Sequence, residues 1–167
     1  SSLNPRKGQN LLIDSLNELS TKIDNIEKLL HFNIVGDSSI INFLRKKKIS
    51  FNFVGKIKSE EDLIKFYNAS DFFISPSIQD AGPTMVAESL ACGIPVISFN
   101  NGMSRDLIIN DHNGYLVENF SSKNMSEVII QCLNLDNNKL KIMKINSRLT
   151  SEKYLDLYKN INTYLEI

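Results

Sequence analysis

Short apolar runs and stretches of helical spacing alternate along nearly the whole of this 167-residue chain. Residues 8–23 place Leu12, Ile13, Leu16, Leu19 and Ile23 at helical intervals. An apolar run over 30–35 then ends at Gly36 and Asp37, as a strand leaving a core would. Residues 39–47 return to helical spacing, and 49–54 alternate like a strand before Gly55. The quartet Ser59-Glu60-Glu61-Asp62 has the form of a capping box, opening a helix that carries Leu63, Ile64, Phe66 and Tyr67. Phe72-Phe73-Ile74 reads as a buried strand, followed by a loop over 75–82. Pro83 suits the first position of a helix, where its missing N–H has no partner anyway, and that helix should stop at Gly93. A strand over 94–98, a short helix over 104–109, a tight turn at Asn113 and Gly114 and a strand over 115–117 follow. From Ser122 onward the pattern is helical in about three pieces.

Strands separated by helices of about ten residues imply βαβ units. The expectation is a single α/β domain over residues 1–167, a Rossmann-like parallel sheet with helices on both faces. Such sheets bind ligands beyond the carboxyl ends of their strands, where the strand order reverses. Chemistry is therefore sought in the loops after Val35, Val54, Ser75 and Ser98, with Gly36, Gly55, Asp80 and Gly102 on that rim.

Composition removes several classes of function. Nineteen basic residues balance nineteen acidic ones, so charge gives no argument for nucleic acid or an anionic membrane. The basic run Arg45-Lys46-Lys47-Lys48 reads as a solvated helix end complementing the helix dipole. Cys92 and Cys132 lie far apart in helix-like stretches, which suits buried free thiols in a reducing, cytoplasmic compartment. His31 and His112 have no cysteine or carboxylate at ligand spacing, so no metal is expected. No uncharged apolar run approaches the roughly 18 residues needed to span a bilayer. Ser1 reads as a cut end rather than a natural start.

Residues 75–93 carry the most chemical information. Gly82 removes side-chain bulk where backbone must approach a ligand. Pro83 and Thr84 open a helix whose unpaired amides and dipole suit a phosphate. Asp80 precedes that terminus, and Glu88 lies one turn beyond Thr84 on the same face. Two carboxylates bracketing an anion site would repel phosphate on contact, so they suit hydroxyl groups on either side of it. A nucleotide sugar has hydroxyls at both ends and a diphosphate between. Taken singly, Asp80 also reads as an ordinary loop residue and Glu88 as an exposed helix residue. Glu88 is harder to dismiss, because Met85, Val86, Ala87, Leu90 and Ala91 leave that helix little polar face.

In this stretch the sequence resembles glycosyltransferase family 4, retaining enzymes of the two-domain GT-B fold. That family carries two acids separated by seven residues, then a Cys/Ser-Gly-x-Pro-Val segment. Here the pattern is Asp80-Ala81-Gly82-Pro83-Thr84-Met85-Val86-Ala87-Glu88, followed by Cys92-Gly93-Ile94-Pro95-Val96. The resemblance extends to Tyr67-Asn68-Ala69-Ser70-Asp71, to the stretch from Asp111 to Val117, and to Arg6-Lys7-Gly8 before the first helix. It covers essentially the whole chain, as the C-terminal half of such an enzyme. It implies that Glu88 bonds ribose hydroxyls and that Asp80 accepts hydrogen bonds from the donor sugar. Backbone around Gly82, Pro83 and Thr84 would face sugar and diphosphate. Lys7, with Arg6, would neutralise the departing diphosphate, and Gly55 and Lys56 match the segment that reads the base edge. Two departures stand out: Asp80 is one methylene shorter than the commoner Glu, and the arginine usual before Lys-Gly would fall at or before Ser1. As residues alone, Lys56 also reads as a surface lysine, and Arg6 and Lys7 as a solvated helix start.

The reaction so implied is hexosyl transfer from a UDP- or GDP-sugar to an acceptor, with retention, in cell-surface glycan or glycoconjugate synthesis. Neither cofactor nor metal is expected, because cationic side chains and helix amides would stabilise the diphosphate. The acceptor, and any contact with the inner face of the membrane, would belong to an N-terminal domain outside this sequence. Two alternatives are a non-catalytic nucleotide-binding or partner-docking module of the same fold, and a GT-B nucleotide-sugar 2-epimerase.

Overall fold

The structure, a computed structural model, describes residues 5–79 and 84–155. A 3-10 turn at Pro5–Lys7 leads into helix α1 (Gln9–Lys22), a single turn α2 (Ile26–Leu29) and strand β1 (His31–Val35). Helix α3 (Ile41–Lys46), strand β2 (Ser50–Val54), helix α4 (Glu60–Asn68) and strand β3 (Phe73–Ser75) follow. Then come α5 (Thr84–Ala91), β4 (Val96–Phe99), α6 (Gly102–Leu107) and β5 (Gly114–Val117). A 3-10 turn at Glu118–Phe120 precedes α7 (Ser122–Leu133) and α8 (Asn137–Tyr154). Each strand read from the sequence is present within two residues of its expected ends. The short α2 and the two 3-10 turns were not foreseen, since four residues or fewer leave no periodic signal.

All strand pairing among the described residues is parallel, but it forms two ladders rather than the single sheet expected. β1 pairs with β2, His31 opposite Ser50, while β3, β4 and β5 form a separate three-stranded sheet in that order. β3 has three residues and spends its ladder on β4. Between β1 and the chain entering β3 the link is a side chain: the Asn33 amide donates to the Ser70 hydroxyl at 3.1 Å. One apolar core nevertheless joins the two ladders, holding Phe32, Ile34, Ile74, Ile97 and Phe99 with Leu12, Leu16 and Leu19 of α1.

β4 shows why helices lie on both faces. All four of its residues are buried. Ile97 and Phe99 pack with α1 and α7, whereas Val96 packs on the other face with Val86 and Leu90 of α5 and Leu107 of α6. Ser98 shares that second face and donates to Ser104 at 2.8 Å, so its buried hydroxyl is satisfied. Fully burying each of these aliphatic side chains contributes about 1.5–3 kcal/mol. Helix starts follow local chemistry: Ser59 accepts from the Asp62 amide, Ser121 from Asn124, and Asp136 from Asn138 and Lys139. Arg45 and Lys46 form the exposed end of α3, as expected, while Lys47 just past it is half-buried and donates to the Ser20 hydroxyl at 3.1 Å. Both cysteines are free and half-buried.

At Asn113 and Gly114 the structural role holds but its reason differs. Asn113 is fully buried; its amide donates to the Leu107 carbonyl at 2.8 Å and the Thr150 hydroxyl at 2.9 Å, and its oxygen accepts from Ile109 at 2.8 Å. Gly114 is required by clearance rather than by a tight turn, because a Cβ there would lie 2.1 Å from the Val96 carbonyl oxygen. This junction fixes α8 against the sheet.

Candidate functional site

The carboxyl ends of both ladders converge on residues 6–9. Gly8 caps α1 with φ +61°, and a Cβ at this position would lie 1.7 Å from the Pro76 carbonyl oxygen, just past β3. The Arg6 carbonyl accepts from the Ile78 amide at 3.0 Å and the Ser77 hydroxyl at 3.1 Å. Past β4, the Asn101 amide donates to the Ser77 carbonyl at 2.9 Å. Past β1 and β2, the Gly36 amide donates to Val54 and Gly55 at 3.1 and 3.2 Å. Four strand-end loops are thus tied into one rim, and Gly36, Gly55 and Gly102 lie where the sequence placed them.

Arg6 and Lys7 are exposed on this rim. The Asp37 carboxyl, past β1, is held below the ordinary carboxylate range mainly by the Ser39 amide, which donates to it at 2.7 Å. The Lys7 charge adds to that effect, so a cation faces the carboxyl ends of the strands. Gly55 and Lys56 are exposed at the end of β2, and the chain runs from them into α4.

Glu88 lies one turn into α5 and is half-buried, not the exposed helix residue of the plainer reading. Its Oε2 accepts from the Tyr67 hydroxyl at 3.0 Å, and that hydroxyl also lies 3.3 Å from the Met85 carbonyl. Tyr67 is buried on α4, its ring edge-on to Phe73 with centroids 5.8 Å apart. Burial first, then the Glu88 charge, raise the phenol above its ordinary range, so it remains a hydrogen-bond donor. The two residues flank a groove of about 570 Å³ between α4, α5 and α8, lined by Glu60, Leu63, Ile64, Asn68 and Arg148 among others. That volume lies within the usual range of small-ligand sites, roughly 300–1,000 Å³. Arg148 is committed to structure, bonding the Ala91 carbonyl at the end of α5 and Glu152.

Two clusters therefore emerge: cations on the rim, and a carboxylate in a groove that runs along α4 and α5 to Gly93, ahead of β4. The segment joining them runs from Ser77 to Thr84. Asp80, Gly82 and Pro83 of the expected site lie outside the described residues. Thr84 opens α5 and is exposed. Tyr67 was not singled out as a site residue. A tyrosine on a helix among Leu63, Ile64 and Phe66 signals core by its spacing, and its partner lies 21 residues away. His31 bonds Ser50 and His112 bonds Asn146, and no cluster among the described residues could hold a metal ion.

The sequence profile described as "Glycosyl transferases group 1" matches residues 1–150. An uncharacterised glycosyltransferase of Methanocaldococcus jannaschii is 26% identical over 135 residues, covering 78% of this chain and 36% of that protein. The crystal structure of a glycosyltransferase from Rickettsia africae superposes with a TM-score of 0.77 at 24% identity, covering 99% of this chain and 46% of that one. The Anabaena protein HepE, crystallised with UDP and glucose, superposes at 0.71 with 22% identity, covering 99% and 46%. At these identities the structural likeness shows the fold, the C-terminal Rossmann-like half of a GT-B glycosyltransferase. This chain spans less than half the length of each of these relatives. No helix among the described residues is long and apolar enough to cross a membrane.

Proposed function

The chain belongs to the group 1 glycosyl transferases, and on that premise we propose that it is the donor-binding half of a retaining enzyme of glycosyltransferase family 4. In this reading a UDP- or GDP-sugar lies along the carboxyl-end rim. Its ribose hydroxyls meet Glu88, its base edge meets Gly55 and Lys56, and its sugar meets Asp80. The observation that carries the reading is the close approach of Gly8 to Pro76, which fixes Arg6 and Lys7 beside the loop leading to Asp80. The amino end of α5, with Gly82, Pro83 and Thr84, adds backbone dipole to the same diphosphate position.

The chemistry follows from charge. As the anomeric C–O bond to the diphosphate breaks, negative charge grows on the leaving oxygen. Lys7 and Arg6 on a fixed rim stabilise it without a metal. Asp80 accepts hydrogen bonds from the sugar hydroxyls and orients the anomeric carbon toward the acceptor. The acceptor is held by the remaining half of the protein, so this chain binds the donor and transfers nothing alone. Cytoplasmic placement suits a supply of nucleotide sugars, and peripheral membrane contact falls to the missing half.

Calorimetry of the chain against UDP, GDP and their sugars tests the reading. Weak binding of one nucleotide diphosphate, tightened by the right sugar and without transfer, is expected. Binding of neither nucleotide, or robust transfer by the chain alone, would overturn it.

A further inference from the structure

The carboxylate at position 88 has two oxygens, and the described residues supply a hydrogen-bond donor to one of them. Oε2 receives the Tyr67 phenol at 3.0 Å, and among the described residues no group donates to Oε1. The phenol is itself tightly placed. Tyr67 is 8% exposed, its ring edge-on to Phe73, and its oxygen also lies 3.3 Å from the Met85 carbonyl, one turn before Glu88 on α5. A flexible glutamate on the exposed side of a helix would sample several rotamers, and ordering it costs side-chain entropy. Here part of that cost is met during folding, because a buried group on α4 already holds the carboxylate.

From this we infer that Tyr67 is a positioning residue for nucleoside recognition: its phenol anchors Oε2 of Glu88 and leaves Oε1 to accept the ribose hydroxyls. The inference rests on the ribose reading of Glu88. A vicinal diol bonds well to a carboxylate only when the carboxylate plane is set, and preorganised contacts of this kind bind more tightly than mobile ones. Tyr67 also ties α4 to α5, so the wall that follows Gly55 and Lys56 and the helix carrying Glu88 keep a fixed spacing. Tyr67 touches no ligand in this arrangement and acts only through Glu88.

The test is a double-mutant cycle read by calorimetry. The chain and its Tyr67→Phe, Glu88→Gln and doubly substituted variants are titrated with UDP and GDP and with the 2′,3′-dideoxy form of each. Tyr67→Phe keeps the ring and the Phe73 contact and removes only the donor. For the nucleotide that binds, it is expected to weaken affinity about fivefold, while the dideoxy form is bound as by the parent. In the Glu88→Gln background the same substitution should add little, because the charge it served is gone. Equal weakening of both forms would show a purely structural tyrosine and overturn the inference, as would parent-like binding of both. If Glu88→Gln weakens the ribose and dideoxy forms equally, or weakens neither, the ribose reading itself falls. If Glu88→Gln weakens the ribose form alone and Tyr67→Phe does not, only the role of Tyr67 falls. The ¹³Cζ resonance of Tyr67 in the parent chain needs no substitution. It should move on saturation with the ribose nucleotide and stay in place with the dideoxy form; no movement with either would overturn the inference.

Discussion

Gly8 and Pro76, 68 positions apart, meet so closely that a Cβ on residue 8 would lie 1.7 Å from the Pro76 carbonyl oxygen. This contact binds the start of the first helix to the end of the first strand of the second ladder. It also sets where Arg6 and Lys7 stand relative to the loop beyond Ser77.

Gly8→Ala should therefore destabilise the fold and disturb the rim together. The αL backbone alone costs an alanine about 1–2 kcal/mol, and the overlap forces the two loops apart. Urea unfolding is expected to show a total loss of about 2–4 kcal/mol. At temperatures where the variant is still folded, affinity for the nucleotide diphosphate should fall as well. Parent-like stability would mean the two loops are not pressed together.

Lys7→Met keeps most of the side-chain bulk and removes the charge. Its effect should track the diphosphate: about tenfold weaker binding of UDP or GDP, with little change for the bare nucleoside, in calorimetry at low salt. The difference should shrink as salt is raised, because Lys7 is exposed and its field is screened. A loss that is equal for nucleoside and nucleotide would place Lys7 elsewhere.

The two acids should separate by ligand. Glu88→Gln is expected to weaken the nucleotide diphosphate and the nucleotide sugar alike, by about tenfold, since both carry the ribose. Asp80→Asn should spare the nucleotide diphosphate and weaken only the nucleotide sugar. Parallel titrations of both variants with both ligands check the assignment, and identical profiles would refute it.

Asn113→Ala supplies the contrast. It removes a buried amide that bonds Leu107, Thr150 and Ile109, and it leaves those groups without their partner. Chemical unfolding should show a loss of about 2–4 kcal/mol. Nucleotide affinity should stay at the parent value wherever the variant is folded, because this junction lies at the amino end of β5. A selective loss of binding with unchanged stability would contradict its structural role.

Much of this was legible in the residues themselves. Alternating periodicities settle element type locally, so the order of strands and helices, the Ser59 cap and the covering of parallel strands by helices on both faces follow from the residues alone. Parallel βαβ order then places the functional loops at the carboxyl ends of the strands. The profile match likewise rests on the sequence, as did the expectation that Glu88 was no ordinary surface residue.

Contacts between distant positions were decided only by tertiary structure. Nothing at position 67 announces that its phenol meets Glu88, and nothing at position 8 announces Pro76. The need for glycine at position 114 comes from the Val96 backbone, not from a local turn. The chain also forms two ladders where one sheet was expected, with Asn33 reaching Ser70, 37 positions away, between them. Periodicity is a property of neighbours along the chain, whereas clearance and hydrogen-bond partnership belong to pairs that meet only when the core closes.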